Sequence, residues 1–385
     1  MEIEGMEIKG KVVDGKLQTT PEEIQRLVKA FGPTPDEGPP VKKMDSSTES
    51  GEGEDAYETL SGVKQSIINN EPLRITFRQG QAPGDVVVLT AAIRDLKMKF
   101  PNLQINMRTT APQIWKNNPH VSEFSTHDSP DTVGSDLDVK LSYPLVHKAN
   151  QCGKHFIHAF KEEIERILGI SFDITAFKCD LHLSDEEKGW VNQVEETFDY
   201  AGKFWLINSG SKDDFPLKQW RRDRWQEVVD ALKGKIQFVQ VGEEHHNHEP
   251  LEGAFNLLGK TDMRQLIRLC YHAEGAACHV TMLNHLMSVW EKPCVVIAGG
   301  RETSAWESYN ETTYLDTIGA LPCCKSGGCW KSKIEDCLTL ERPEGWIDTT
   351  PRGAPIPPLS PKCMNMITST EVVRAIEKYY VGGRL

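Results

Sequence analysis

Twice between residues 73 and 300 the sequence alternates short apolar runs with amphipathic stretches of helical period. This alternation constrains the fold more than any other feature of the chain. In the first series, Leu73–Arg78 (LRITFR) reads as a strand and Gly80-Gln81-Ala82-Pro83-Gly84-Asp85 as a loop. Val86–Phe100 then reads as a helix with Leu89, Ile93, Leu96 and Phe100 on one face. Pro101-Asn102 stops it, Leu103–Met107 follows as a strand, and Asn118-Pro119-His120 is a turn. Phe160–Leu168 has the pattern of an amphipathic helix, and Ser184-Asp185-Glu186-Glu187 that of a helix start with a capping box. The second series predicts strands at Phe204–Asn208, Ile236–Val241 and Gly275–His279, with Cys294–Ala298 as the final one. Its helices fall at Asp223–Leu232, Asp262–Leu269 and Leu283–Trp290. Strands alternating with helices imply parallel sheets covered on both faces, so the prediction is α/β, with two doubly wound domains facing each other. Ligands of such sheets bind beyond the carboxyl ends of the strands, here in the cleft between the domains.

The flanks differ in kind. Lys11–Leu17 carries a hairpin signal with Asp14-Gly15 at the turn. Thr20-Pro21-Glu22-Glu23 then has the form of a helix start, with Thr20 as N-cap, Pro21 at the first helical position and Glu23 closing a capping box. Gly32–Glu58 is rich in Pro, Gly, Ser and acid and has almost nothing to bury, which is the composition of a disordered linker. The domain boundaries expected are therefore 1–31 for a hairpin-helix appendage, 32–60 for the linker, and 61–190 and 191–320 for the two α/β domains. A Cys-rich segment follows at 321–363 and a terminal helix at 364–385.

Charge and cysteine usage narrow the function. Forty-four basic and 56 acidic residues give −12, which argues against broad binding to nucleic acid. The longest apolar run, near Val280–Trp290, holds Asn284 and His285 and is too short to span a bilayer. Met1-Glu2-Ile3-Glu4 does not open a secretory signal, so the expected location is the cytoplasm. Of ten cysteines, five fall close together: Cys323, Cys324, Cys329, Cys337 and Cys363. In a reducing compartment such a cluster more often binds metal than forms disulfides, and four thiolates select zinc or iron in a closed, structural site. The remaining cysteines, such as Cys294 before Val295-Val296-Ile297, read as small buried apolar side chains.

The motifs, in order, resemble glycosyltransferase family 9, the ADP-heptose-dependent heptosyltransferases. The matching residues are Gly84-Asp85 at a loop-to-helix junction with Phe100-Pro101 after it, then Asn118-Pro119-His120-Val121. In the second half they are Asn208-Ser209-Gly210, Lys218-Gln219-Trp220, Arg224-Trp225, Leu258-Gly259-Lys260-Thr261 with Leu266, His285, Lys292-Pro293 and Gly299-Gly300. The likeness covers about residues 72–315. It implies the GT-B fold of two Rossmann-like domains, an acceptor domain followed by a nucleotide-sugar domain. One departure is clear: where the family carries Asp-Ser/Thr-Gly before the histidine, this chain has Val280-Thr281-Met282. The Cys-rich segment is loosely similar to that of the autotransporter protein heptosyltransferases, which carry an iron site there. That likeness points to a protein or other non-lipid acceptor.

By this resemblance Asp85 is the catalytic base, and Lys218, Thr281, His285, Glu243 and Ser209 bind the donor, a nucleotide sugar such as ADP-heptose. Transfer would need no divalent metal, because a lysine and a helix N-terminus can hold the departing diphosphate. Composition alone would make Asp85 a helix N-cap and Lys218, beside Arg221 and Arg222, part of a solvated basic face. His285 could equally be a satisfied helix histidine. The loop Glu243-Glu244-His245-His246-Asn247-His248 packs three histidines into four positions, yet lacks a distant partner for a metal. It reads as a base or ribose contact, or as plain surface. The reaction implied is inverting transfer of a sugar, heptose first among candidates, to a hydroxyl of a protein or glycan. The alternatives are a non-catalytic scaffold and a sugar-nucleotide epimerase on the same fold.

Overall fold

The structure, a computed structural model, describes residues 62–130, 134–142, 153–212, 215–325, 327–330 and 361–380, with four short strands inside residues 1–18. The chain divides into two units, Met1–Asp55 and Ala56–Leu385. In the first unit β1 (Glu2–Ile3) pairs antiparallel with β2 (Met6–Glu7), and β3 (Lys11–Val13) with β4 (Lys16–Gln18). Val12 lies opposite Leu17 and Val13 opposite Lys16. The helix expected from Thr20 and the acidic linker lie outside the described residues.

The second unit opens with α1 (62–68) and β5 (Leu73–Gln79). Helix α2 (Pro83–Lys99) crosses to β6 (Leu103–Thr109), followed by β7 (Glu123–Thr126) and β8 (Leu137–Lys140). These strands form one parallel sheet in the order β7-β6-β5-β8. Helix α2 starts three residues before the predicted Val86. Pro83, whose fixed φ and missing N–H suit the first turn, begins it, so Asp85 stands inside that turn and not on the loop ahead of it. Helix α3 (Phe156–Leu168) likewise starts before the predicted Phe160, because His155 caps it, its Nδ1 accepting from Ile157 N–H at 3.2 Å. The capping box at Ser184 and Glu187 is present, and opens only the short helix α4 (Asp185–Gly189), with α5 (Gln193–Phe198) behind it.

A second parallel sheet is built from β9 (Phe204–Asn208), β10 (Gln237–Gln240), β11 (Phe255–Asn256), β12 (Gly275–His279), β13 (Cys294–Gly299) and β14 (Thr312–Asp316). Its order is β11-β10-β9-β12-β13-β14. In chain order within the sheet this is 3-2-1-4-5-6, the doubly wound Rossmann arrangement, and the first sheet repeats its first part, 3-2-1-4. Cys294–Gly299 is not the final strand as predicted; β14 follows it at the sheet's edge. Helices α6 (Arg222–Ala231), α7 (Met263–His272) and α8 (Met282–Val289) cross between strands, with Asp262 and Thr281 as N-caps of the last two. Short α9 (Ser304–Glu307) and α10 (Lys362–Asn365) precede the terminal helix α11 (Ser369–Tyr380), which packs on α6.

The second sheet is apolar on both faces because it is covered on both. Leu206, Ala276, Cys278 and Val296 point into a core continuous with that of the first sheet. Their neighbours Trp205, Ile207, Ala277, Val295 and Ile297 point the other way, against Trp225 and Val228 of α6 and Val372 and Ile376 of α11. Among the described residues no helix is long and apolar enough to cross a membrane.

Candidate active site

In a doubly wound sheet the crossovers change face where the strand order reverses, leaving a crevice at the carboxyl ends of the two strands concerned. Those strands are β5 and β8 in the first sheet, β9 and β12 in the second. The loop after β5 leads into the first turn of α2 and Asp85. The chain after β9 runs through Ser209 to the short 3-10 turn Pro216–Lys218, and β12 runs through Val280 into Thr281 and α8. The two switch points meet. A side-chain carbon placed on Gly84 would come 3.6 Å from Met282 Cα and from His285 Cδ2, so the first turn of α2 rests on the first turn of α8.

Asp85 Oδ2 accepts the Ala82 N–H at 3.1 Å, so the carboxylate does help to cap its helix. Burial in this junction dominates its charge state. Loss of solvent pushes the carboxyl up to about 6, against the opposing pull of His285 and Lys218. His285 is buried, with Nδ1 2.8 Å from the Tyr309 hydroxyl and Nε2 3.3 Å from Glu307 Oε2. Behind it the Tyr309 hydroxyl lies 3.4 Å from Cys179 Sγ. Glu307 and Tyr309 complete the surroundings of His285, and sequence reading missed both; they carry no motif and reach the histidine only through tertiary packing.

Lys218 Nζ donates to Val280 O at 3.2 Å and pairs with Glu302 Oε2 at 3.3 Å. It lies over the Phe215 ring, 5.5 Å from its centroid, and Arg301 lies over the same ring at 5.2 Å. Desolvation first, then the nearby Arg301, pulls the ammonium down to about 7, while Glu307 and Asp85 oppose that pull. Lys218 is thus a packed cation bridging the ends of β9 and β12, not a member of a solvated basic face. Thr281 caps α8 through its hydroxyl, which accepts Leu283 N–H at 3.4 Å.

Ser209 and Glu243 sit at the same end of the sheet with different environments. The buried Ser209 hydroxyl accepts from Gln240 Nε2 at 2.9 Å, whereas Glu243 is exposed. The histidine-rich loop folds over the end of β9, and His248 fills the space above Gly210 and Gly242, where a Cβ on either glycine would overlap its ring. Desolvation holds His248 down to about 4, so it is neutral. Open surface hollows of about 370 Å³, lined by Pro112, Phe124 and Arg264, and about 530 Å³, lined by His155, Phe177 and Ser304, lie away from Asp85 and Lys218.

The clustered cysteines gather at the carboxyl end of β13. Cys324 and Cys363 are buried there, and a Cβ on Gly300 would lie 3.1 Å from Cys324 Sγ and 3.3 Å from Cys363 Cβ. Cys329 N–H donates to Gly300 O at 3.0 Å, and Cys323 packs on the same apolar group. Cys337 lies outside the described residues. Among the described residues the cysteine sulfurs do not form a set of three within 4.8 Å; the one donor group that close is His120, Asp180 and His182. Cys324 Sγ lies within hydrogen-bond reach of two carbonyls, Leu321 O at 3.3 Å and Thr317 O at 3.6 Å.

No protein-family model matches the sequence, and no curated protein matches it significantly. Solved structures do. A glycosyltransferase family 9 protein from Veillonella parvula superposes with a TM-score of 0.58 at 14% identity, covering 81% of this chain and 98% of that one. The iron-containing dodecameric glycosyltransferase TibC from enterotoxigenic E. coli superposes at 0.57 with 18% identity, over 80% of this chain and 76% of that one. TibC has also been solved in complex with ADP-D-β-D-heptose, and that structure superposes at 0.56 with 18% identity, over 80% of this chain and 76% of that one. E. coli ADP-heptose heptosyltransferase II superposes at 0.51 with 13% identity, over 80% and 98%. This chain, with its two parallel Rossmann-type sheets, thus has the fold of these glycosyltransferase family 9 and heptosyltransferase structures.

Proposed function

We propose that this chain is an inverting glycosyltransferase that moves a sugar from a nucleotide-activated donor to a hydroxyl of a protein or glycan. The observation that carries the reading is the meeting of Asp85, the cation of Lys218 and the capped start of α8 where the two switch points join. Asp85 accepts the acceptor's proton as the new C–O bond forms at the anomeric carbon. A carboxylate poised at about 6 is well matched to that task near neutral pH. On the opposite side of the sugar the bond to the nucleotide diphosphate breaks. Lys218 and the positive end of α8, reached through Thr281, stabilise the charge that builds on the leaving group. Ser209 and Glu243 border the nucleotide, and His285 is held by Glu307 and Tyr309 to keep α8 and Asp85 in register.

ADP-heptose is the donor this reading favours, because TibC, which shares the fold, is described with ADP-D-β-D-heptose bound. The test is to incubate the protein with a panel of nucleotide sugars and follow release of the nucleoside diphosphate. Release from one donor, raised by a small hydroxyl acceptor, supports the proposal; a panel that binds without turnover rejects it. Binding without turnover is the second reading, a scaffold. It is favoured by the ion pair that Lys218 already makes with Glu302, which a donor phosphate would have to displace.

The cysteines suit a soft metal as a donor set: Cys324 and Cys363 lie against the Gly299-Gly300 turn, the Cys329 backbone bonds to Gly300, and Cys323 packs on the same apolar group, with Cys337 a fifth candidate. An iron or zinc ion held there would be structural, since four sulfur ligands leave no open position for substrate. Protein purified without added metal is expected to hold close to one equivalent of iron or zinc, and Cys329→Ser to lower both metal content and melting temperature. Less than a tenth of an equivalent of either metal rejects this site.

A further inference from the structure

We infer that His120, Asp180 and His182 form a binding site for a divalent transition cation, distinct from the cysteines and from the transferase centre. Asp180 Oδ2 lies 3.0 Å from His182 Nε2 and 3.6 Å from His120 Nε2, and all three donor atoms fall within 4.8 Å of one another. Zinc bonds of about 2.0–2.1 Å at tetrahedral angles separate neighbouring donors by about 3.3 Å, so the two measured gaps bracket the spacing an ion would impose. The rings are splayed, with centroids 6.1 Å apart and planes at 69°, so that both Nε2 atoms turn toward one carboxylate oxygen.

The frame holding these donors is independent of the donors themselves. Asp180 N–H donates to the buried hydroxyl of Thr90 on α2 at 2.8 Å, and Asp180 O accepts from Asn118 Nδ2 at 3.2 Å. Asn118 Oδ1 in turn accepts His120 N–H at 2.9 Å, which fixes the turn that carries the first imidazole. One buried amide thus ties both donor segments together, and these outer contacts orient ligands as they do in known metal sites. The side chains of His120, Asp180 and His182 are 20%, 17% and 32% exposed, which leaves an entry path and room for water as a further ligand. Two imidazoles and one carboxylate suit zinc, and also iron, cobalt or nickel, and disfavour magnesium and calcium. Bound there, the ion would join the turn after the 3-10 helix Pro112–Trp115 to the segment whose Cys179 touches Ser288 of α8 and Tyr309.

The test uses the full chain, stripped with chelator and titrated with Zn²⁺ by calorimetry and with Co²⁺ by visible spectroscopy. Expected is a Co²⁺ signal made of weak d–d bands, persisting in Cys329→Ser, since intense sulfur-to-metal charge transfer would report the cysteines instead. Asp180→Asn keeps the shape and the backbone contacts, and His182→Ala removes one donor. Each is expected to weaken zinc binding at this site at least tenfold and to abolish the zinc-dependent rise in melting temperature. Absence of any Co²⁺ or Zn²⁺ uptake beyond that lost in Cys329→Ser overturns the inference. So does unchanged affinity in both Asp180→Asn and His182→Ala, which would leave the trio a hydrogen-bonded surface cluster. Neither outcome depends on transferase activity.

Discussion

In the proposed reaction Asp85 and Lys218 act in opposite charge states, and the same junction pushes both toward neutrality. Asp85 must be deprotonated to act as base, so activity is expected to rise as pH climbs through about 6. Lys218 must be protonated to hold a diphosphate, so activity is expected to fall as pH climbs past about 7. Loss of solvent sets both limbs first; His285, Lys218 and Glu307 then bear on Asp85, and Arg301, Glu307, Asp85 and Lys212 on Lys218. A narrow bell in kcat/KM against pH is the expected result, its limbs belonging to the coupled pair. Asp85→Asn should lose the acid limb, and an acid limb unchanged in that variant would assign it elsewhere. As members of the proposed site, Asp85 and Lys218 are reached only through the resemblance, since composition alone made one a cap and the other a surface charge. His120, Asp180 and His182 were not legible at all, because a trio split by 60 positions becomes a group only once the turn and the later segment fold together.

At the scale of elements, burial separates what could be read from what could not. Phe204–Asn208 and Gly275–His279 were read to the residue because central parallel strands are covered on both faces and appear as unbroken apolar runs. Glu123–Thr126, Leu137–Lys140 and Thr312–Asp316 were missed. Each lies at the edge of its sheet, half exposed, with a polar residue at most second positions. Gly275 shows how tightly the centre is packed. It sits opposite Trp205 in the register, and a Cβ there would overlap the buried indole. Gly275→Ala is expected to destabilise the protein by about 1–3 kcal/mol, the usual range for overpacking a core. Gly189→Ala, with open space around it, is the control and should leave the melting temperature nearly unchanged. Equal melting temperatures for both variants would contradict the packing described.

For the whole molecule, the residues of the proposed site all belong to the unit Ala56–Leu385. A chain beginning at Ala56 is therefore expected to fold and to turn over donor with a small acceptor as the full chain does, measured by diphosphate release. Loss confined to a macromolecular acceptor would make the first unit a docking element. A folded but inactive truncation would contradict the division of labour. The Rossmann order was foreseeable as a class, because strand–helix alternation dictates parallel sheets. The order 3-2-1-4-5-6 itself was not, since pairing partners are chosen by packing across the chain and not by local pattern.

The central claim is that Asp85 takes the acceptor's proton at a nucleotide-sugar site. Its most direct test measures turnover and donor affinity together in wild type and Asp85→Asn, on the best donor found. The expected result is a fall in kcat of about 10²–10⁴-fold, the range for losing a general base, with donor Kd within about twofold. A variant that retains a tenth or more of wild-type turnover would contradict it, and would leave Asp85 as no more than the residue that caps its helix.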